Sequence, residues 1–174
     1  MEFTRRKDAF VLGIVGSTVL TISVFLFGGS LLIKGADQIS YISSIMIAPS
    51  FLIVLCCILF VKNEQKRLWI VLSIVFGIIY AVYCMVNYYL QLTFVRVNDM
   101  MLNEEIIKAF RFVPGSALFA QDMLGYSFLC ISCLFLFPAF KDGVLEKYIR
   151  IGLIINGIMF LDFGKTVVDL NLYN

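Results

Sequence analysis

A few polar and ionisable side chains interrupt the apolar runs of this sequence, and helical spacing predicts which of them share a face. One stripe, with steps of three, four and four residues, consists of Tyr80, Tyr83, Asn87 and Gln91. In the next apolar run, Asp122 and Tyr126 lie four residues apart. In the last run, Asp162 precedes Lys165 by three residues. Aromatic rings, amides and carboxylates grouped in this way could bind a ligand through hydrogen bonds and ion pairs.

The elements that carry these residues are predicted to be membrane-spanning helices. Apolar residues make up 61% of the 174 residues and charged residues only 15%, whereas soluble domains have about 25% charged residues. Each apolar run is long enough to cross the ~30 Å hydrocarbon layer as a helix. We therefore expect one all-α domain over residues 1–174, a polytopic membrane bundle of about five transmembrane helices at about 10–33, 41–61, 68–95, 117–140 and 148–170.

Lysine and arginine residues flank these spans unevenly, which predicts how the bundle is oriented in a cell membrane. With a cytoplasmic N-terminus and an extracytoplasmic C-terminus, nine basic residues are cytoplasmic, namely Arg5, Arg6, Lys7, Lys62, Lys66, Arg67, Lys141, Lys147 and Arg150. Five are extracytoplasmic, namely Lys34, Arg96, Lys108, Arg111 and Lys165. Because basic residues concentrate in cytoplasmic loops, this orientation is favoured over its reverse.

The longest connection, residues 97–116, is predicted to contain a short interfacial helix. Leu102, Ile106 and Phe110 recur every four residues, while charged residues lie mostly on other faces. This pattern is typical of an amphipathic helix at a membrane surface. Two interpretations stay open: the helix tethers the third span to the fourth, or it forms a lid over a site beneath it.

In this topology the polar groups of the third, fourth and fifth spans lie in the outer half of the membrane. Because ionisable residues inside a bilayer need a partner or a function, we expect an outward-facing pocket between these spans. The candidate ligand-binding residues are Tyr83, Asn87, Gln91, Arg96, Asp122, Tyr126 and Asp162. Arg96 would bind an anionic group, and Asp122 a cationic or hydroxyl group. The two amides would orient the ligand.

The same residues also have a purely structural interpretation. Pairing of Asp122 with Arg96, and of Asp162 with Lys165, would hold helices together without any ligand. Asparagine and glutamine side chains likewise form hydrogen bonds between membrane helices. The pocket is preferred because three spans bring polar groups to one depth.

Several function classes are disfavoured by what the sequence lacks. The chain has no histidine, and its five cysteines lie inside apolar runs, so we expect no metal site and no cofactor. Cys130 and Cys133 form a C-x-x-C, but it lies in mid-helix without a second pair. No constellation of residues indicates an enzyme, and no basic tract indicates nucleic-acid binding.

Two segments, VNYYLQLTFVR at 86–96 and QDMLGY at 121–126, resemble an uncharacterised family of small bacterial multi-pass membrane proteins. Those proteins have a Q-L-T-x-V-R segment, followed by a span that opens with an acidic residue before L-G-Y. The resemblance covers about residues 45–150. It implies a single unit made by Gln91, Thr93, Arg96, Asp122, Gly125 and Tyr126, and it implies no activity. The family has glutamate where this chain has Asp122, which is one methylene shorter.

Together these observations predict a protein that resides in the lipid bilayer and binds or senses a small ligand or lipid headgroup. A small transporter acting as a homo-oligomer is one alternative, although the sequence shows no internal repeat. An accessory or immunity-type subunit of a larger membrane complex is another. Gly13, Ser17 and Thr21 form a small-residue stripe on the first span that favours such packing, either against a partner or within the chain.

Overall fold

The structure is a computed structural model that describes residues 2–98, 109–141 and 143–172, with side chains described for 6–97, 109–141 and 143–158. Within these ranges the chain forms helices and no strands. The helices are α1 (Glu2–Ser30), α2 (Asp37–Val61), α3 (Arg67–Leu90), α4 (Arg96–Asn98), α5 (Ala117–Leu136) and α6 (Val144–Leu172). A π-helical segment, Gln91–Val95, joins α3 to α4, and short 3₁₀ turns cover Glu64–Lys66 and Phe137–Ala139.

Four helical stretches are long and apolar enough to cross a membrane, which confirms the predicted helical membrane bundle. They are Arg6–Ser30, Asp37–Val61, Glu64–Val95 and Ala117–Ala139. The fifth predicted span falls on α6, whose side chains from residue 159 onward lie outside the described residues. Most of the predicted interfacial helix, at 99–108, also lies outside them. Both therefore stay predictions.

Large apolar side chains cover the outside of the bundle, as a surface in contact with lipid requires. Leu32 is 88% exposed and Phe25 is 76% exposed, and many other Ile, Val and Leu side chains are similarly uncovered. A soluble monomer rarely shows such an extensive apolar surface. The hydroxyls of Ser17 and Thr21 are also exposed, and each donates a hydrogen bond to a carbonyl of its own helix, at 2.7 and 2.8 Å. Two members of the small-residue stripe therefore face away from the bundle.

The helices pack in sequence order: α1 against α2, α2 against α3, α3 against α5, and α5 against α6. Small residues permit the close approaches. A Cβ atom added at Gly125 would lie 3.0 Å from the Cβ of Tyr83, so α3 and α5 pack almost backbone to backbone there. Midway along the same interface, the Ser73 and Ser132 hydroxyl oxygens are 3.0 Å apart, and Ser132 Oγ lies 2.7 Å from the Ser73 carbonyl oxygen.

The two ends of the bundle differ in what they bury. The proximal end comprises residues 62–66 and 137–143. Its core is apolar, made of Leu55, Ile70, Leu136, Ala139 and Phe140. An ion pair between Lys62 and Glu146 joins the end of α2 to the start of α6 beside this core. The distal end comprises residues 31–36, 91–98 and 109–116. Its core is aromatic and partly polar, with Ala48, Tyr80, Ala81, Cys84 and Tyr88 buried together.

Candidate functional site

A buried carboxyl group lies at the centre of the distal end. Asp122, on the second turn of α5, is only 2% exposed, and its Oδ2 accepts a hydrogen bond of 3.1 Å from the Tyr88 hydroxyl. The Tyr88 oxygen is also 3.4 Å from the hydroxyl oxygen of Tyr126. We call Tyr88, Asp122 and Tyr126 the phenol–carboxylate cluster. It forms because α3 and α5 pack closely at Gly125, which brings Tyr88 opposite the face shared by Asp122 and Tyr126.

Asn87 lies beside this cluster with its hydrogen-bonding groups unused. The side chain is fully buried, at 0% exposure, and among the described residues neither its Nδ2 nor its Oδ1 has a hydrogen-bond partner of standard geometry. The amide makes only a looser side-chain hydrogen-bonding contact with the Asp122 carboxyl. A buried polar group without a partner is rare, because its lost hydration costs roughly 1–3 kcal/mol. The site thus has unused hydrogen-bonding capacity next to a carboxylate.

The cluster lines a cleft of about 510 Å³, which we call the carboxylate cleft. Its walls come from five helices and two loops: Phe27, Leu31, Asp37, Ser40, Tyr41, Tyr88, Phe112, Phe119, Asp122, Met123, Tyr126, Leu129, Cys130 and Asn156. Asn156 adds another unused group, since its buried Oδ1 has no hydrogen-bond partner among the described residues. This volume and mixed lining are typical of small-molecule sites.

A second cleft of about 400 Å³ adjoins the first, and we call it the arginine cleft. Its lining is Gly35, Asp37, Gln38, Tyr41, Gln91, Leu92, Val95, Arg96, Arg111, Phe112 and Val113. The two clefts share the side chains of Asp37, Tyr41 and Phe112. Two guanidinium groups make the second cleft suitable for an anion, in contrast to the two carboxyls of the first.

A series of aromatic rings in tilted contact lines the two clefts. The Tyr88 ring centroid lies 5.7 Å from that of Tyr41 and 5.9 Å from that of Phe112. Phe112 in turn lies 5.4 Å from Phe119, the third residue of α5. Contacts of this kind hold residues from α2, α3, α5 and the preceding loop in fixed relation. The site is therefore built on helices that already pack against one another.

The loop before α5 is fastened to the site by polar contacts. Gln91 Nε2 donates a 2.6 Å hydrogen bond to the carbonyl oxygen of Phe110. At the start of α5, the Ser116 hydroxyl accepts a 3.1 Å hydrogen bond from the backbone N–H of Phe119, which is a helix N-cap. Gln91 is also the first residue of the π-helical segment, and such segments occur frequently at functional sites.

The structure brings most of the candidate ligand-binding residues together, though not all. Asp122 and Tyr126 line the carboxylate cleft beside Asn87, and Gln91 and Arg96 line the arginine cleft. Tyr83 lines neither cleft; its ring stacks against Phe128 at a centroid distance of 6.1 Å. The side chain of Asp162 lies outside the described residues. The hydrogen-bond partner of Asp122 is Tyr88, whereas Arg96 is exposed in the neighbouring cleft.

Sequence reasoning missed the contribution of α2. Asp37, Ser40 and Tyr41 line the carboxylate cleft, although the second span was predicted to begin only at about residue 41. The signal was present, because Asp37, Ser40, Tyr41 and Ser44 recur at helical steps of three, one and three residues. Tyr88 and Asn156 were also not predicted as site residues. Tyr88 is one position away from the stripe that contains Asn87.

Comparisons with protein-family models, curated proteins and solved structures give no significant match to this chain. The case for a function therefore rests on the geometry of the site. Among the described residues, no group of three His, Cys, Asp or Glu side chains is placed to hold a metal ion. A larger cleft of about 560 Å³ lies between α1 and α2 toward the proximal end, but it is lined mainly by aliphatic and aromatic side chains with Asp8 at its edge.

Proposed function

We propose that this membrane protein binds or senses a small ligand or lipid headgroup in a polar site at the distal end of its bundle. The observation that carries the proposal is Asp122, a carboxyl that is 2% exposed yet lines a cleft of about 510 Å³. An ionisable group inside a membrane protein is expensive to bury and is commonly functional. The arginine cleft beside it supplies groups for the anionic part of a ligand.

The distal end is proposed to face the extracytoplasmic side of the cell membrane, with the N-terminus in the cytoplasm. The nine-to-five division of basic residues supports this orientation. The proximal end carries Lys62 and Lys66 in one connection and Lys141 in the next, so basic residues are grouped at that end. In this orientation a ligand would reach the site from outside the cell or from the outer leaflet.

A purely structural role for the phenol–carboxylate cluster explains fewer of the observations than ligand binding does. Asp122 accepts a hydrogen bond from the Tyr88 phenol and is not paired with a basic side chain. It therefore forms no salt bridge with Arg96 that would join two helices. Asn87 contributes no hydrogen bond to helix packing. By contrast, the pair Ser73 and Ser132 joins α3 to α5, and neither residue lines the carboxylate cleft or the arginine cleft.

The interior of the bundle supports a binding function better than it supports a transport function. Among the described residues the buried amide and carboxyl side chains are Asn87, Gln91 and Asp122, all at the distal end, so the polar lining of the distal clefts does not continue through the proximal core. Alternating-access transporters place their site near the middle of the membrane, between repeated halves. A site confined to one end is more suitable for a receptor or a lipid-binding module.

The test is native mass spectrometry of the full-length protein released gently from membranes, comparing wild type with Asp122→Asn and Ser132→Ala. Asparagine keeps an oxygen that can accept the Tyr88 hydrogen bond but lacks the charge. We expect a bound small molecule or lipid on wild type and on Ser132→Ala, and its loss from Asp122→Asn. Thermal unfolding of the three proteins would be measured in parallel.

Two results would contradict the proposal. One is an identical set of bound species on wild type and Asp122→Asn, or none on either. The other is unfolding of Asp122→Asn under conditions in which wild type and Ser132→Ala stay folded, which would make the carboxyl a structural group.

A further inference from the structure

We infer that the carboxylate cleft binds the ammonium group of an amphiphile, with Asp122 as the counter-ion and the surrounding aromatic rings as its walls. This inference rests on the proposed function, since it names the chemical class of ligand for the same site. It goes further because it assigns the ammonium group and the alkyl chain of the ligand to different parts of the carboxylate cleft.

The charges that line the carboxylate cleft have one sign. Asp37 and Asp122 are the ionisable acids of its described lining, and that lining includes no lysine or arginine. Two described cations, Arg96 and Arg111, line the adjoining arginine cleft instead. An anionic ligand group would be repelled from the first cleft, while a cation would supply the charge that a buried carboxylate needs.

Aromatic rings surround the position that a cation would occupy. Tyr41, Tyr88, Phe112 and Phe119 all line the cleft, and their centroids lie 5.4 to 5.9 Å from one another along the series. Ring faces attract ammonium groups electrostatically, and clusters of them recognise substituted ammonium ions. An uncharged hydroxyl gains little from such walls, so they favour an ammonium group over an alcohol.

The remaining lining is suited to an alkyl chain. Phe27 of α1, Leu31 just after its end, and Met123 and Leu129 of α5 all line the cleft, and all four side chains are apolar. The lining also includes Cys130, but among the described residues no three His, Cys, Asp or Glu side chains are placed to hold a metal ion together. Calcium binds six to eight oxygen atoms. The combination of acid, rings and apolar wall therefore points to an organic ammonium with a hydrocarbon part.

The unpartnered amide groups fit the same ligand. Asn156 Oδ1 is a buried acceptor in the cleft, and Asn87 Oδ1 is a buried acceptor next to Asp122. A primary ammonium has three N–H donors, as the lysine side chain does. It could donate to the carboxylate and still have donors for an amide oxygen, which would relieve groups that are otherwise unsatisfied.

The experiment uses three probes with the same six-carbon chain and different heads: hexylammonium, hexanol and hexanoate. Each is titrated into the purified full-length protein in nonionic detergent, and the rise in unfolding temperature reports binding. The variants are Asp122→Asn and the control Ser132→Ala, which alters a buried hydrogen bond outside the cleft. The three probes share one chain and differ in head group, and because the neutral alcohol partitions more strongly into detergent than the two ions, affinities are compared at the measured free concentration of each probe.

For wild type and Ser132→Ala we expect hexylammonium to bind at least about tenfold more tightly than hexanol, and hexanoate not to bind. In Asp122→Asn the advantage of hexylammonium over hexanol should disappear. Equal binding of hexylammonium and hexanol by wild type would overturn the ammonium assignment while leaving a ligand site in place. Undiminished hexylammonium binding by Asp122→Asn would overturn it as well. If none of the three probes binds and native mass spectrometry shows no bound species, the proposed function is overturned as well.

The ammonium group could come from a lipid headgroup or from a free amine, and a second arm separates these sources. The protein is placed in nanodiscs of phosphatidylethanolamine or of phosphatidylglycerol with the same acyl chains. If the lipid is the ligand, hexylammonium binds at least about tenfold more weakly in phosphatidylethanolamine, because the headgroup competes, and Arg96→Gln reduces this competition. If a free amine is the ligand, hexylammonium affinity is the same in both bilayers once its accumulation at the anionic phosphatidylglycerol surface, measured with Asp122→Asn, is subtracted, and ethanolamine in solution competes. Either outcome requires an ammonium site at Asp122.

Discussion

The proximal and distal ends of this bundle are built from the same helices but bury different kinds of side chain. At the proximal end, Leu55 and Ile70 are completely buried in an apolar core. At the distal end, Asn87 and Asp122 are buried just as deeply, beside a cleft. The proximal core excludes lipid and water by close packing, whereas the distal site keeps space and unsatisfied polar groups. If the proposed binding function is correct, stability and binding are assigned to opposite ends of the bundle.

The largest effect should come from removing a side chain in the proximal core. Leu55→Ala would leave a cavity at a fully buried position, and comparable substitutions lower the free energy of unfolding by about 2–5 kcal/mol. The matched control is Leu68→Ala, because Leu68 is 66% exposed. Reversible unfolding in mixed micelles would measure both. A loss at Leu55 no greater than that at Leu68 would contradict the assignment of stability to this end.

Close approach of α3 and α5 is the next feature to test, because it connects the two ends. Gly125→Ala would place a Cβ 3.0 Å from that of Tyr83, and we expect a loss of about 1–3 kcal/mol in the free energy of unfolding. Gly152→Ala in α6 is the control, since nothing lies within 4 Å of an added Cβ there. Alanine at Gly152 should instead stabilise the helix, by up to about 1 kcal/mol. Equal effects of the two changes would show that the Gly125 contact is not tight.

At the distal end, Tyr88→Phe should separate binding from folding. The change removes the hydroxyl that donates to Asp122 at 3.1 Å but keeps the ring that stacks on Tyr41 and Phe112. We expect a loss of about 1 kcal/mol in the free energy of unfolding. We also expect a changed ratio of hexylammonium to hexanol affinity, because the carboxyl loses its orienting partner. An unchanged ratio would show that the phenol does not position Asp122.

The sequence sufficed to predict the fold class because apolar composition and run length determine which segments can span lipid. It also placed Asp122 and Tyr126 on one face, since helical spacing is regular. It failed at the start of α2, where Asp37 and Ser40 resemble loop residues although they lie in the first turns of a helix. Polar residues that line a buried cleft look the same in sequence as polar residues that end a span.

The position of Tyr83 shows a second limit of pattern reasoning. It shares a broad stripe with Asn87 and Gln91, yet it packs against α5 at Gly125 and Phe128, outside both clefts. A stripe on a single helix spans several tens of degrees, and the neighbouring helix decides which part of it faces a cavity. That choice depends on tertiary packing, which residue spacing in one chain does not encode. Tyr88, at the edge of the same stripe, reaches the cleft instead.

The smallest predicted effect concerns the hydrogen-bonded pair Ser73 and Ser132, which lies between the two ends. It tests whether the residues that hold the helices together are separate from those that would bind a ligand. A double-mutant cycle of Ser73→Ala and Ser132→Ala should give a coupling energy of about 0.6 kcal/mol, the average for hydrogen bonds between membrane helices. Each single change leaves a neighbour that can still bond elsewhere, so neither should be severe. Neither variant should alter the hexylammonium preference, because the pair lines neither cleft. If removing the pair abolished that preference, the two ends would be energetically coupled through α3 and α5, and the division of roles between them would fail.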